Sequence, residues 1–339
     1  MTRIDTVSNL NIGMVGCGVH ASANIYPSIL VAGGRIRSIA ARHLAHADAA
    51  AAKFSAERTY DSYAKMLEKE QNDVIFVITE GEQHFKIVSD CLLAGKHVFV
   101  EKPLGLNEQE AQAIAELAER GNRKVMVGFM KRFAPSYTVL KEFTRDALRF
   151  GRPVSFQGMF GITAGRSGWV DEKYLRFGAI HFVDLMRFYF GEAAEVVGFA
   201  NSHDVNVSQS FCLRFESGVV GSMFFAGLKA WKRHYEEITI TGENGFGKAV
   251  NLGSVLLHSD RASTVSVPRW QTVDEEDQVV TSVSTSSSGG LKDLYQGGYV
   301  GEVQHFLDCI VKDVQNINSA PENVKTTRLC DQILHGLKR

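Results

Sequence analysis

The sequence predicts an α/β fold with a doubly wound parallel sheet, followed by a second domain on an antiparallel or mixed sheet. Three observations predict it. Strand-sized apolar runs alternate with helix-sized stretches through the first third of the chain. A glycine-rich turn, Gly16-Cys17-Gly18-Val19-His20-Ala21, stands directly between the first strand and the first helix. After about residue 129, strands follow one another without intervening helices.

Residues 10–15 form a short apolar strand, and 19–32 a helix with Pro27 as a local fault. Residues 35–40 read as a strand, 44–54 as an Ala-rich helix and 61–70 as helical. The run 74–78 is β-branched and aromatic throughout, as in a strand buried on both faces. Residues 83–94 are helical and stop at Gly95, and 97–100 is another buried strand. Asn107 caps the next helix with Glu110 as its capping-box partner, and Gly121 ends it. Residues 124–127 are the next strand. A linking helix over 135–150, closed by Gly151, begins the second half. Strands 154–160, 208–215, 219–225, 237–241 and 255–258 follow, the second and third joined as a hairpin through Glu216-Ser217-Gly218. Between the first two, 174–190 reads as an amphipathic helix. Residues 271–290, polar and Ser-rich, read as a long loop, and helices over 300–314 and 322–336 close the chain. The division expected is a flexible 1–9, a dinucleotide-binding domain over 10–130 and a substrate-binding and oligomerisation domain over 131–339.

The 339 residues suit roughly two domains. A composition 45% hydrophobic and 22% charged is ordinary for a globular chain. The net charge of -1 gives no basic excess, so neither nucleic acid nor an anionic membrane is expected as a partner. Residues 1–9 are polar and show no apolar leader. The five cysteines have no paired spacing, which predicts free thiols in the cytoplasm, with no zinc site and no disulfide frame.

Chemistry concentrates at a few positions. In the GxGxxA turn, Gly16 permits the tight bend, Gly18 lets backbone approach a pyrophosphate, and Ala21 allows close helix–strand packing. An NAD site places a carboxylate at the end of the second strand; here Ala40-Ala41-Arg42-His43 stands instead. A small residue leaves room for a 2′-phosphate, and Arg42 pairs with it unless it is only a solvated loop residue. NADP(H) is therefore the preferred cofactor, with NAD(H) possible. Lys102, in Glu101-Lys102-Pro103 at a strand's carboxyl end, is placed to hold a substrate oxygen and move its proton. His181 stands among apolar residues, either as a core histidine or oriented by Asp184 one turn on. The basic stretch Lys229-Ala230-Trp231-Lys232-Arg233-His234 reads equally as a solvated face or an anion site.

Together these motifs resemble the glucose–fructose oxidoreductase, inositol dehydrogenase and rhizopine-catabolism family, written Gfo/Idh/MocA, over about residues 10–337. The most specific piece is Ala94-Gly95-Lys96-His97-Val98-Phe99-Val100-Glu101-Lys102-Pro103. Val127-Gly128-Phe129-Met130-Lys131-Arg132-Phe133 with Pro135 is similar to the family's junction segment. Val77-Ile78-Thr79 with His84 is similar to its third-strand loop and following helix. Trp169, then Ile180-His181-Phe182-Val183-Asp184, resembles its W…GxHxxD helix. The resemblance implies a Rossmann domain and an α+β C-terminal domain with an open-faced, mostly antiparallel sheet. It implies hydride exchange between nicotinamide and a sugar, polyol or related small carbonyl or hydroxyl compound. Lys102 then contacts the reacting oxygen and the nicotinamide ribose, and His181 lies beside that oxygen. Val19, His20, His43, Thr79, His84 and Glu101 join the cofactor set, and Arg132 and Trp169 the substrate set. No metal is implied.

One departure stands out. Many members carry Asp four residues before this His; here it is Phe177, with Ala179 two before the His. Asp171 and Glu172 lie upstream of the expected helix. Tyr174, two α-helical turns before His181 and on roughly the same face, is the candidate proton donor. The loss also admits a second reading, a family member that holds cofactor without net redox turnover, as a regulator or a hydrolase with a transient redox cycle. The stretch 219–228, with Met223, Phe224, Phe225 and Leu228, predicts a homodimer or homotetramer through the C-terminal sheet.

Overall fold

The computed structural model describes residues 6–163, 171–229, 233–259, 277–281 and 291–338. It divides into two units, Met1–Phe133 with Gly298–Arg328, and Ala134–Gly297 with Leu329–Arg339. A single cut near residue 130 therefore misplaces the stretch 298–328, which returns to the first unit. Its helix Tyr299–Lys312 puts Val303, Phe306, Leu307 and Ile310 into one core cluster with Ile12, Met14, Phe76 and Phe99.

In the first unit, β1 (Asn11–Val15), β2 (Arg35–Ala40), β3 (Arg58–Tyr60), β4 (Val74–Val77), β5 (His97–Val100) and β6 (Val125–Val127) form one sheet in the order 3-2-1-4-5-6. Every pairing is parallel. The strand order reverses between β1 and β4, which opens a crevice beyond their carboxyl ends. β4 is buried at all four positions, as its unbroken apolar run requires. β3 was not anticipated: three residues, Arg-Thr-Tyr, on the sheet edge carry no apolar signal.

Local chemistry moves several boundaries. The first helix is a π-helical turn, Ala21–Ile25, running into an α-helix, Tyr26–Val31. Pro27, which has no N–H to give, thereby falls in the first α-helical turn, where none is needed. The 61–70 stretch forms only Tyr63–Lys69, because the Ser62 hydroxyl accepts the Ala64 N–H and starts the helix there. Asn107 accepts the Glu110 N–H at 2.9 Å, but the Glu110 carboxylate accepts from Leu106 N rather than from the cap itself.

The second unit carries β7 (Pro153–Thr163), β8 (Ala193–Ala200), β9 (Val207–Phe215), β10 (Val220–Leu228), β11 (Tyr235–Gly242), β12 (Gly245–Val250), β13 (Ser254–Ser259), β14 (Asp277–Thr281) and β15 (Leu337–Lys338). Their order is 14-13-12-11-7-10-9-8-15, antiparallel except for β7 with β10 and β8 with β15. The β9–β10 hairpin turns at Gly218, whose φ of 88° suits glycine. The expected loop over 271–290 holds the edge strand β14; its remainder, with Trp169 and Ala230, Trp231 and Lys232, lies outside the described residues. β12 was not anticipated: its sequence, with glycines at 245 and 247, carries no continuous strand signal. A Cβ on Gly247 would sit 2.3 Å from Leu140, so that glycine lets a helix lie close on the strand.

Helices cover one face of this sheet. The linking helix is Pro135–Thr144, shorter than the 135–150 expected, and the chain turns before Gly151. The 174–190 segment is an α-turn, Asp171–Tyr174, a π-turn, Leu175–Ala179, and an α-helix, Ile180–Phe190. It is buried nearly all round rather than amphipathic. Phe182 and Phe190 pack on Phe160 and Phe156 of β7, at ring distances of 5.1 and 4.7 Å. Met223 and Phe225 face this core and are fully buried, so only Phe224 and Leu228 of the expected apolar set remain for the other face. There Phe199, Ser210, Phe224 and Met159 lie in one row across four strands, with Phe199 70% exposed. Among the described residues, no helix is long and apolar enough to cross a membrane.

Candidate functional site

The glycine turn follows β1 directly. Gly16 has φ +100°, and a Cβ there would lie 2.1 Å from the Ile78 carbonyl oxygen. Only glycine fits. The Tyr26 hydroxyl donates to the Gly16 carbonyl at 3.0 Å and fixes the bend from below. Above Gly18 there is nothing within 4 Å, so its backbone faces open space. Ala21 is fully buried against the sheet.

That space is the floor of a cavity of about 540 Å³. Its walls come from the carboxyl ends of four strands: Gly16, Cys17 and Gly18 after β1, Arg42 and His43 after β2, Asp61 and Ser62 after β3, Thr79 and Glu80 after β4. The volume and position suit the phosphate and adenosine part of a dinucleotide. Arg42 is exposed and forms no hydrogen bond or ion pair with a described residue. Asp61, which the sequence reading passed over, stands at the end of β3 in the same wall. Its carboxylate is paired with Lys65 at 2.9 Å.

The second centre is the turn after β5. His84 is fully buried, with Nδ1 2.6 Å from the Pro103 carbonyl and Nε2 3.1 Å from the Thr79 carbonyl. It clamps the Lys102-Pro103 turn to the loop after β4 rather than facing the cavity. Burial pulls its imidazole below the ordinary value, with partial restoration by those two carbonyls. Lys102 is half-buried. Burial of its ammonium pulls it below the ordinary lysine value, and the Glu101 carboxylate restores part of that.

Glu101 is the hub. Its Oε1 lies 2.8 Å from His20 Nε2, and its Oε2 accepts the Lys102 backbone N–H at 3.2 Å. A Cβ on Gly128 would come within 3.0 Å of Oε1, so the glycine of the junction segment makes room for this carboxylate. Burial pushes Glu101 up, but the hydrogen bond and charge of His20, then Lys102, outweigh it and hold the carboxyl below its ordinary value. His20 moves the opposite way. Burial lowers it, and Glu101 more than compensates, so its imidazole stays protonated to higher pH than usual. Glu302, on the returning helix, is also new to the site. It is completely buried, neither carboxylate oxygen has a hydrogen-bond partner, and burial together with the Glu101 charge holds it well above the usual carboxylate range. A lone Glu inside the apolar pattern of that helix is the signal that marks it.

Arg132 donates from Nη1 to the Ile317 carbonyl at 3.1 Å, a backbone anchor within the first unit. In the second unit, His181 is half-buried on the Ile180–Phe190 helix, with Asp184 buried one turn on. Tyr174 is corrected. Its hydroxyl donates to the Ala226 carbonyl at 2.7 Å, its ring lies over Gly227, and burial pushes its pKa far up. The hydroxyl serves the sheet, not a proton transfer. The intervening π-turn also breaks the face that seven-residue spacing gives in an α-helix. Asp171 lies in the helical segment rather than upstream of it, and accepts from Ser202 and Gln209. Glu172 accepts from Arg176.

Two family models match the chain: an oxidoreductase family with an NAD-binding Rossmann fold over residues 10–129, and the GFO/IDH/MocA C-terminal domain over 146–246. Inositol 2-dehydrogenase 2 of Saccharopolyspora erythraea is 28% identical over 54% of this chain and 54% of its own length. The chain thus spans about half the length of the curated relatives it matches first. Among solved structures, a dehydrogenase from Chromobacterium violaceum superposes with a TM-score of 0.85 at 22% identity, over 97% of this chain and 95% of the other. A levoglucosan dehydrogenase in complex with NADH and levoglucosan superposes at 0.83 with 20% identity, over 96% of each. At these identities the superpositions establish the fold.

Proposed function

The chain belongs to the GFO/IDH/MocA oxidoreductase family, and on that premise we propose that it is a nicotinamide-dependent dehydrogenase of a sugar, polyol or related small hydroxyl or carbonyl compound. The observation that carries this reading is within the first unit. A glycine turn that only glycine fits and a lysine lowered by burial both stand at carboxyl ends of one parallel sheet. Relatives named for inositol and levoglucosan support a polyhydroxylated substrate.

The open backbone at Gly18 and the Gly16 bend would hold the pyrophosphate, with Thr79 and His43 along the same wall. When bound, the dinucleotide supplies the hydride acceptor or donor. Lys102 takes the hydroxyl proton in oxidation and returns it in reduction; a lysine lowered by burial from its ordinary value suits both directions. We also assign NADP(H) as the preferred cofactor over NAD(H). Ala41 leaves space, Arg42 is an uncommitted guanidinium on the cavity wall, and Lys65 neutralises the nearby Asp61. The row Phe199–Phe224–Met159 supports a homodimer or homotetramer through the bare sheet face, and five cysteines without a disulfide support a cytoplasmic setting.

The test is direct. Purified protein with NADP+ or NAD+ and a panel containing myo-inositol, levoglucosan and aldoses should reduce the nicotinamide, read by its absorbance. Tight retention of cofactor with no net change in redox state across the panel, run in both directions, would instead favour a member without net turnover.

A further inference from the structure

We propose that His84 is the positioning residue for Lys102: through Nδ1–H it holds the Pro103 carbonyl, and with it the turn that carries Lys102, against the head of the helix His84–Leu93. The proposal rests on the acid–base reading of Lys102 given above. Every group in it belongs to the first unit.

The sequence puts the ring where it is. His84 opens that helix, and Ile87, Val88 and Cys91 follow it on the buried face at helical spacing. Side chains lean toward the N-terminus of a helix, so the ring of a first residue lies over the chain that leads in. Here it meets the Thr79 carbonyl with Nε2 and, across the sheet end, the Pro103 carbonyl with Nδ1. Gln83 and Ile87, before and after it, line the cavity, while His84 turns away and is fully buried. Both ring nitrogens face backbone oxygens, which leaves neither to touch substrate or dinucleotide. The effect of His84 passes through the turn.

Burial, with a smaller push from the Lys102 charge, keeps the ring neutral against the two carbonyls and the Glu101 charge. A neutral imidazole has one N–H for these two acceptors. The Pro103 contact, at 2.6 Å, is the shorter, and a bare nitrogen that close would set lone pair against lone pair. The proton therefore stands on Nδ1, and the Thr79 carbonyl at 3.1 Å faces the bare Nε2.

Proline carries the constraint to the lysine. Its ring locks φ, so once the Pro103 carbonyl is held, only ψ separates that anchor from the Lys102–Pro103 peptide. On the other side, the Lys102 N–H donates to Glu101 Oε2 at 3.2 Å, and Glu101 Oε1 is itself held 2.8 Å from His20 Nε2. The backbone at Lys102 is thus anchored before and after the residue, and its side chain leaves in a fixed direction. Misplacing a reacting group by about 1 Å costs about 10²-fold in rate, so release of one anchor is read in turnover.

Two measurements test this. The first uses the wild type and needs no substrate: NMR of 15N-histidine-labelled protein, with the His84 ring linked to its place in the sequence through the backbone. Nδ1 should carry a proton; a bare Nδ1 would overturn the proposal. The second compares two variants in turnover of myo-inositol or levoglucosan at saturating NADP+ or NAD+, with calorimetric titration of the same dinucleotide. Glutamine places its amide nitrogen near the imidazole Nε2 position, and asparagine near Nδ1. His84→Gln should therefore lower kcat about 10²-fold with little change in dinucleotide Kd, and His84→Asn should restore most of the loss. A merely structural role would move both variants alike, and equal kcat in the two would overturn the proposal. So would a His84→Gln variant that keeps kcat and loses dinucleotide affinity, which would place His84 with the cofactor wall. If Lys102→Ala keeps turnover, the acid–base reading fails first. If Lys102→Ala loses turnover while the two His84 variants match, only the positioning role fails.

Discussion

The two sheets of this protein meet water differently, and the chemistry follows the difference. In the six-stranded sheet β4 is buried at every position, so its side chains say nothing about ligands and the chemistry is pushed to the strand ends. Gly16, Arg42, Thr79 and Lys102 all stand there, after β1, β2, β4 and β5. The nine-stranded sheet buries one face only, and β9 alternates between buried and open along its length. Its bare face is free to meet something else. A sheet with central strands buried on both faces positions a site at its strand ends; a half-buried one presents a surface.

The largest expected effect breaks the first sheet. Phe76→Ala removes a ring packed on Phe99 and Phe306 and should cost about 3–5 kcal/mol in urea unfolding. Phe199→Ser, on the bare face, should change the unfolding free energy of a protomer by less than about 0.5 kcal/mol. It should instead lower the mass seen by light scattering. A full-size monomer mass for the wild type would contradict the surface reading of that face.

Gly16→Ala comes next. It forces a Cβ against the Ile78 carbonyl at a positive φ and should cost about 3 kcal/mol, with loss of dinucleotide binding by calorimetry. Gly218→Ala, in the hairpin of the other sheet, also has positive φ but meets nothing within 4 Å. It should cost only about 1 kcal/mol.

Those contrasts match what was legible in the sequence. Arg35–Ala40, Leu44–Phe54 and His97–Val100 carry bounds that the apolar pattern alone supplies, because buried parallel strands and the helices between them leave strong periodic signals. Where glycines serve packing rather than turning, as in β12 under Leu140, the pattern misleads. Tyr174 was misread because 3.6-residue spacing was applied across a π-turn that local sequence does not announce. In the site, Gly16, Arg42 and Thr79 were legible because each follows a strand that the apolar pattern marks, and Asp61 was not, because β3 carries no such signal. The His20–Glu101 contact was not, since 81 residues separate the pair, and Glu302 is reached only by a helix that returns from the far end of the chain.

Acid separates the regions further. Burial, then the charges of Arg123 and Lys124, pull His97 at the start of β5 down to about 4, while an unfolded imidazole titrates near 6.5. Between those values the unfolded chain binds the proton first, so stability is full above 6.5 and falls as pH drops toward about 4. Urea midpoints taken across that window should decline in the wild type and decline less in His97→Asn.

The smallest effect concerns the cavity wall. Arg42→Ala should weaken NADPH binding by about 1.5 kcal/mol, roughly tenfold in Kd, and leave NADH nearly unchanged. Equal affinity of the wild type for both cofactors would show that Arg42 faces solvent.

The measurement that bears most directly on the central claim is the Lys102→Ala variant, followed in parallel by calorimetric titration with the dinucleotide and by nicotinamide absorbance during turnover of a polyol. The variant should still titrate with cofactor while kcat falls by about 10²–10⁴-fold. A kcat close to that of the wild type, with cofactor binding intact, would contradict the assignment of Lys102 as the group that moves the substrate's proton.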